Sequence, residues 1–474
     1  MFRYPRTNFH ELNLDWILSK IQSGEINTGC AFVRPEEFPE SNNPVQDAMD
    51  FAANNNKMVL LSGSYDIYET LTPADGVQMY GIFGATLVSH AQDETVGFAP
   101  ITLIDCPNDF YVENVTFDGN RPEGASQSTY PSAPGNENAT VKIAPLVSAF
   151  SKNNIYFNRC KWTNYDSNRS TSIGTYHYAA LGCYDCTNVT VNNCSFVDIW
   201  RECTVFASCE FVTIEESYFN MGDSSNAYTE IGFGQTNHAK ILNCRIVKGD
   251  TVTTSAVNAM GNFIEIAGCN IRAISSTYGI DYGNEVSAAF TATDLTIRDC
   301  YLNCHISGAS TYTIDHNNVK IINNTFDATG VIGTSGLVMV YGSSGNAFEI
   351  INNHFTGTFA APVLHAIRTG TEPNLIVSII GNTFEAAAIR ISADFPQMII
   401  ANNLFKNDAI YQSESNATEQ TLVFNGCTCT RVGRFGALSA GNQITIHLVG
   451  CDFRRSVCTN ALAVDASLSY IRGV

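Results

Sequence analysis

Three carboxylates stand at comparable places in short apolar runs: Glu202 in RECTVFAS, Glu230 in AYTEIGFG and Asp281 in GIDYGNE. Hydrolysis of a glycosidic bond needs two such groups flanking it, about 5 Å apart for retention and about 6.5 to 9.5 Å for inversion. Strand alternation with Ile231 and Phe233 inward turns Glu230 outward, and the same reading puts Asp281 outward while Glu202 precedes a similar strand. With stacked strands about 4.8 Å apart, Glu202 and Glu230 fall one rung apart and Asp281 about two rungs further on. Asp166, Asp185 and Asp198 are further acids for the region. The chain holds 45 Asp and Glu, so a solvated acidic face is the competing explanation.

A sugar site also needs aromatic faces for C–H surfaces and polar groups for hydroxyls. Tyr165, Tyr176, His177, Trp200, Arg201 and Tyr228 supply both around the same segments, with Tyr130, Tyr178 and Tyr278 as further aromatics. Any one of them is equally explained as packing or loop decoration. An elimination reaction would instead use a base and a cation against a uronate carboxylate, for which His177, Tyr228 and Arg201 are the residues at hand. The patterns of zinc proteases, serine hydrolases, P-loops and EF-hands are missing, and Cys183 and Cys186 lack a second pair, so no metal and no cofactor is expected.

The formal charge of -19 argues against nucleic acid and anionic membrane surfaces and favours neutral sugars, cationic groups or metal-bridged anions. No run of about 18 apolar residues and no apolar signal-peptide core is present, so neither membrane insertion nor export by that route is expected. The 16 cysteines are spread along the chain, many at one repeat position, which reads as reduced, buried thiols.

The elements that must position these residues begin with two helices. Residues 8–22 form an amphipathic pattern in which Phe9, Leu12, Trp16, Ile17 and Ile21 share a face, free to fold back on the chain or dock on a partner. The second helix opens at Asn43 with Pro44 in its first turn, and Val45, Ala48, Met49 and Ala52 form its apolar face. It is placed to cover the open end of the β-rich body C-terminal to it.

That body repeats itself. Segments such as TVNNCSFV, KILNCRIV, TIRDCYLN, KIINNTFD and EIINNHFT recur thirteen times between Asn114 and Phe453. Equivalent positions, from Val115 through Cys160 and Cys194 to Asn403, Cys427 and Cys451, lie about 21 to 45 residues apart, a solenoid period. Each unit reads as strand, tight turn and strand, with the Cys or Asn in a stacked interior row. The fold class is therefore all-β: a single-stranded parallel β-helix of about 13 coils, right-handed by the general preference of parallel crossovers. It divides into residues 1–27 as a docking segment, 28–110 as capping helix and first strands, and 111–474 as the body. Long loops at 118–145 and 163–180 mark the elaborated wall.

The capping helix, the strand GSYDI, the turn GVQMYG and the repeats resemble the pectate-lyase-like right-handed β-helix superfamily, specifically phage tailspike-type receptor-binding proteins. The opening RYPRTNFHELNLDWIL looks like the virion-attachment segment of podovirus-like tail proteins. The resemblance implies a homotrimer in the virion tail, assembled in the host cytoplasm and attached to other tail proteins through residues 1–27. It implies binding, and often cleavage, of a host cell-surface polysaccharide. Catalytic acids of tailspikes vary in position, so none is carried over. Many tailspikes add a C-terminal trimerisation domain, whereas this sequence ends about twenty residues past its last repeat, which leaves coil walls or the N-terminal segment as the expected trimer contacts. A non-enzymatic receptor-binding or structural tail protein, and a bacterial polysaccharide lyase or hydrolase, are the alternatives.

Overall fold

In each repeat the residue before the Cys or Asn adopts the left-handed backbone conformation. Asn114, Asn193, Asn243, Asn323, Asn352 and Asn402 do so with φ between 49° and 56°, a conformation asparagine tolerates better than most residues. The corner turns the chain through the wall of the solenoid and sends the next side chain inward. A computed structural model of the protein describes residues 32–90, 102–121, 145–165, 179–200, 202–221, 229–249, 255–274, 279–282, 293–307, 317–331, 337–342, 347–357, 364–368, 376–385, 389–391, 397–406, 411–413, 420–430, 434–436, 444–453, 457–459, 463–467 and 470–471. The amphipathic helix expected at 8–22, with Phe9, Leu12, Trp16 and Ile17, lies outside them.

All named strand pairs are parallel, and each strand pairs with its counterpart one coil away, as Val189 does with Ile155 on one side and Val212 on the other. One sheet has 27 strands and a second has 16. The larger sheet carries two strand columns per coil, joined where Ile231–Leu242 and Val257–Ala267 run through the corner between them. Each coil thus presents three outer faces. The fold is the parallel β-helix read from the repeats. Each of the thirteen repeats supplies one strand of the 16-stranded sheet, and Ser64–Ile67, Thr86–Ser89 and Tyr470–Ile471 add the rest. The solenoid therefore runs past about 13 coils, because its ends lack the Cys/Asn signature.

The interior is a set of ladders. Cys244 N–H points at Cys269 Sγ (3.4 Å), Cys300 N–H donates to Asn324 Oδ1 (3.0 Å), and Asn324, Asn353 and Asn382 each donate to the Oδ1 of the next asparagine. The fourteen described cysteines are buried, and seven of them, Cys160, Cys194, Cys244, Cys269, Cys300, Cys427 and Cys451, stand at the repeat position that implied it. Beside this ladder Phe326, Phe355, Phe384 and Phe405 stack with centroids 4.7 to 5.1 Å apart. A fully buried phenylalanine contributes about 1.5 to 3 kcal/mol, so repetition along the axis stabilises a wall that no single coil could hold.

The capping helix spans Pro44–Asn55. The Asn43 side chain accepts from Gln46 N–H (3.3 Å), left-handed Asn56 ends it (φ 51°), and Val45, Ala48, Met49 and Ala52 are buried against the first coil. It covers the apolar end that an open solenoid would otherwise expose.

Candidate functional site

Glu230 points into the solenoid, against the outward orientation expected from alternation. Its side chain is fully buried beside that of Lys248, whose Nζ donates to Glu230 Oε2 (3.3 Å) and to the Ser255 carbonyl (2.9 Å). The reason is local. The Glu230 and Ile231 amides both donate to the Ala256 carbonyl at 3.1 Å, which marks a bend where two consecutive residues face inward before alternation starts. Cys203 and Ala256, beside Glu230 in the neighbouring coils, are likewise core. Burial pushes the Glu230 carboxyl up to about 7 against the pull of Lys248, and burial lowers the ammonium of Lys248 despite the pull of Glu230.

Glu202 and Asp281 lie on the same face of the solenoid but do not converge with Glu230. Glu202 is in register with Ala179, part of a small apolar cluster with Tyr184 and Val205 outside the main core, and is 5% exposed. Asp281 continues the row Val205, Gly232, Asn258, so it stands three rungs, about 14 Å, from the coil of Glu202. It is 2% exposed and so is covered where a solvent-facing acid was expected. Glu202 stands one rung and one residue from Glu230, as the alternation reading placed it, but Glu230 faces inward, and the coils of Glu202 and Asp281 are too far apart, so no two of these carboxylates flank a single glycosidic bond.

Tyr165 is a core residue with no exposure, not a sugar-facing one: it ends the strand Lys161–Tyr165 inside the apolar interior. Trp200 is half-buried and its ring is already covered, since the Arg121 guanidinium sits 3.8 Å above it while also bonding Asp198 (2.6 Å). Asp185 is exposed at a left-handed corner (φ 53°). Tyr130, Asp166, Tyr176, His177, Tyr178, Arg201, Tyr228 and Tyr278 lie outside the described residues.

The 16-stranded sheet carries a polar concavity on its outer face, away from the residues that the sequence singles out. Two rows of outward side chains border it: Arg245, Asn270 and Tyr301 in one, Arg272, Asn303 and Asp327 in the other, enclosing about 340 Å³. The rows arise because positions one and three residues after each ladder residue face outward when the aromatic or aliphatic residue between them faces in. Tyr301 is 43% exposed, and its hydroxyl donates to Asp327 Oδ2 (2.8 Å). Asn303 uses both amide hydrogens on the Asp327 and Thr329 carbonyls, which leaves its Oδ1 as an acceptor. Burial pushes the Asp327 carboxyl up, but hydrogen bonds from Thr329 and Tyr301 outweigh it and hold the group ionised below its ordinary value. Arg245 lies 5.4 Å over the Tyr218 ring. The concavity thus offers an aromatic surface, guanidinium donors and a fixed acceptor, and its four strands span about 14 Å, the scale of an oligosaccharide.

The class that this architecture defines is the parallel β-helix. No protein-family model matches the chain, and no curated protein matches it. Among solved structures it is similar to the Dettilon tailspike protein, at 13% identity over 83% of this chain and 68% of that one (TM-score 0.41). It is also similar to PfbA, a surface adhesin of Streptococcus pneumoniae, at 15% identity over 90% and 87% (TM-score 0.38). A third is the tailspike protein of the E. coli bacteriophage HK620 in complex with a pentasaccharide, at 9% identity over 90% and 76% (TM-score 0.48).

Proposed function

We propose that this chain is the polysaccharide-binding β-helix of a tailspike-type appendage, attached to other tail proteins through residues 1–27 and working as a homotrimer on a host cell-surface polysaccharide. The observation that carries the binding role is the outward groove of Tyr301, Asn303 and Asp327, which pairs an exposed ring with fixed polar groups in the way sugar recognition requires. The phage setting rests on the sequence resemblance. Binding is favoured over cleavage because the groove holds one carboxylate, Asp327, where hydrolysis needs two.

The test is retention of capsular and O-antigen polysaccharides by the immobilised full chain, with Tyr301→Ala as the groove variant. At least one polysaccharide should be retained, and Tyr301→Ala should weaken it about tenfold, the scale of a lost sugar–aromatic contact. Equal binding by the variant moves the site elsewhere, and retention of none overturns the proposal. A reducing-end assay on the retained glycan should stay at background. Product release there would instead support the depolymerase reading.

A further inference from the structure

We infer that the wall built on strands such as Glu210–Glu215, Thr293–Arg298 and Gln397–Ala401 is the face on which copies of this chain meet, parallel and in register about an axis running along the solenoid. This rests on the homotrimer reading and deepens it by naming the contact face and its register. The wall belongs to the larger sheet, so it is a different outer face from the 16-stranded sheet that carries the Tyr301 groove.

Of the ten large apolar side chains exposed among the described residues, six stand on this wall: Phe211, Phe263, Ile376, Ile399, Val423 and Val449. The register sets them in outward rows along the axis, since Ile399 pairs with Val423 and Asn425 with Val449. The four strands Ile376–Ile380, Gln397–Ala401, Gln420–Asn425 and Ile444–Val449 contain no Asp, Glu, Lys or Arg, on a chain whose net charge is -19. An apolar surface depleted of charge is the mark of the buried centre of an interface. At the edge of the wall, Phe211, His238 and Phe263 take the left-handed corner (φ 59°, 54° and 57°) that Asn154, Asn188, Asp294 and Asn318 fill on other rungs. Asn and Asp tolerate that backbone, whereas phenylalanine adopts it at a cost. The three rings stack at 5.0 and 4.7 Å, and both phenylalanines are about half exposed. Rings that stay exposed at a backbone cost serve a contact that one copy alone does not make.

Charge and area both select a second copy as the occupant. In a cyclic assembly about an axis along the solenoid every rung faces the same rung of its neighbours, so an unmatched charge there meets its own kind. The central charges of the wall are matched within one copy: Glu265 pairs with Lys240 (3.5 Å) and Arg298 (2.7 Å), and Lys320 with Glu349 (3.5 Å). The uncharged rungs beyond them then meet uncharged rungs. Antiparallel pairing about the middle of the wall would instead set Ile399 and Val423 against the polar outward residues Thr213, Glu215, Thr190 and Asn192. The column from Phe110–Glu113 to Ile444–Val449 is about twelve rungs long. At about 4.8 Å per rung, and about 16 Å across five residues, it offers roughly 900 Å² on each copy. A stable complex buries about 800 Å² per partner, so contact along the whole wall suffices where the uncharged rungs alone fall short.

The experiment measures the mass of the full chain by light scattering after gel filtration, for the native protein and for Ile399→Glu and Ile399→Lys. The native chain should be a trimer. Each variant alone should run as a monomer with an unchanged far-ultraviolet spectrum, at concentrations where the native chain stays assembled, because the added charge faces its own copies. Mixing the two variants should restore assembly, since Glu then faces Lys on the same rung. Val423→Glu and Val423→Lys repeat the test one rung away, so misfolding at one position leaves the other to decide. A monomeric native chain overturns the homotrimer reading and this one with it. A native trimer that survives charges at both positions overturns the wall assignment and leaves the homotrimer standing. Variants that dissociate yet fail to reassemble on mixing overturn the parallel register.

Discussion

Lys248 Nζ lies 3.3 Å from Glu230 Oε2 with both side chains fully buried inside the β-helix. Desolvating two charges offsets most of their attraction, so such a pair adds little net stability, whereas removing one partner strands the other. Lys248→Met and Glu230→Gln should each destabilise the chain by about 3 to 5 kcal/mol, and the double variant should recover most of that loss. Denaturant melts of the four proteins check this. Additive losses in the double variant would mean that the two groups do not interact.

The same pair predicts a pH dependence. The folded pKa of Glu230, about 7, lies above its ordinary value of 4.5. A group whose pKa rises on folding adds stability that is complete below its unfolded value and is lost as pH rises through the folded one. The native chain should therefore lose melting temperature relative to Glu230→Gln between pH 4.5 and 7. A constant gap between the two across that range would show that Glu230 does not titrate there.

The interior ladder makes a prediction of its own. Asn353 accepts from Asn324 N–H (2.9 Å), donates to the Ile321 carbonyl (2.8 Å) and to Asn382 Oδ1 (3.0 Å), and is 1% exposed. Asn353→Ala leaves at least two buried groups unsatisfied, at about 1 to 3 kcal/mol each. Asn353→Cys should cost less than the alanine change, because thiols fill the same position at Cys244, Cys269 and Cys300. Thermal melts that rank Cys no better than Ala would contradict the equivalence of the two residues in the ladder.

The ladder and the capping helix are legible in the sequence because each is set by residues close together: Asn43 with Val45, Ala48, Met49 and Ala52, or a left-handed asparagine followed by an inward Cys or Asn. Glu230 defies alternation because that rule presumes a strand already begun, and the bend over Ala256 precedes it. Lys248 gives no signal of its own because a lysine is expected in solvent unless paired, and its partner lies 18 residues away across a coil. The groove is present in the repeats, since KILNCRIV, IEIAGCNIR, TIRDCYLN and KIINNTFD place Arg245, Arg272, Tyr301 and Asp327 at outward positions. The longest interruptions of the period point instead to another wall. Local rules describe the rungs, and only the register between rungs brings distant side chains into one site.

Arg121 and Trp200 supply the last prediction. The guanidinium lies 3.8 Å above the indole ring and bonds Asp198 (2.6 Å), tying the chain just after the strand Thr116–Asp118 to a corner 77 residues beyond Arg121. A desolvated cation–π contact is worth about 2 kcal/mol and an exposed one about 0.5 to 1. With Arg121 10% exposed, Arg121→Ala should destabilise the chain by about 1 to 2 kcal/mol. It should also uncover the indole. Acrylamide quenching of tryptophan fluorescence should therefore increase in Arg121→Ala, and the increase should vanish when Trp200→Phe is added to both proteins compared, because Trp162 is fully buried and the contribution of Trp16 is common to both. Unchanged quenching in the single variant would show that Arg121 does not shield Trp200, and that ring would return as an available sugar-stacking surface on the wall beside Glu202.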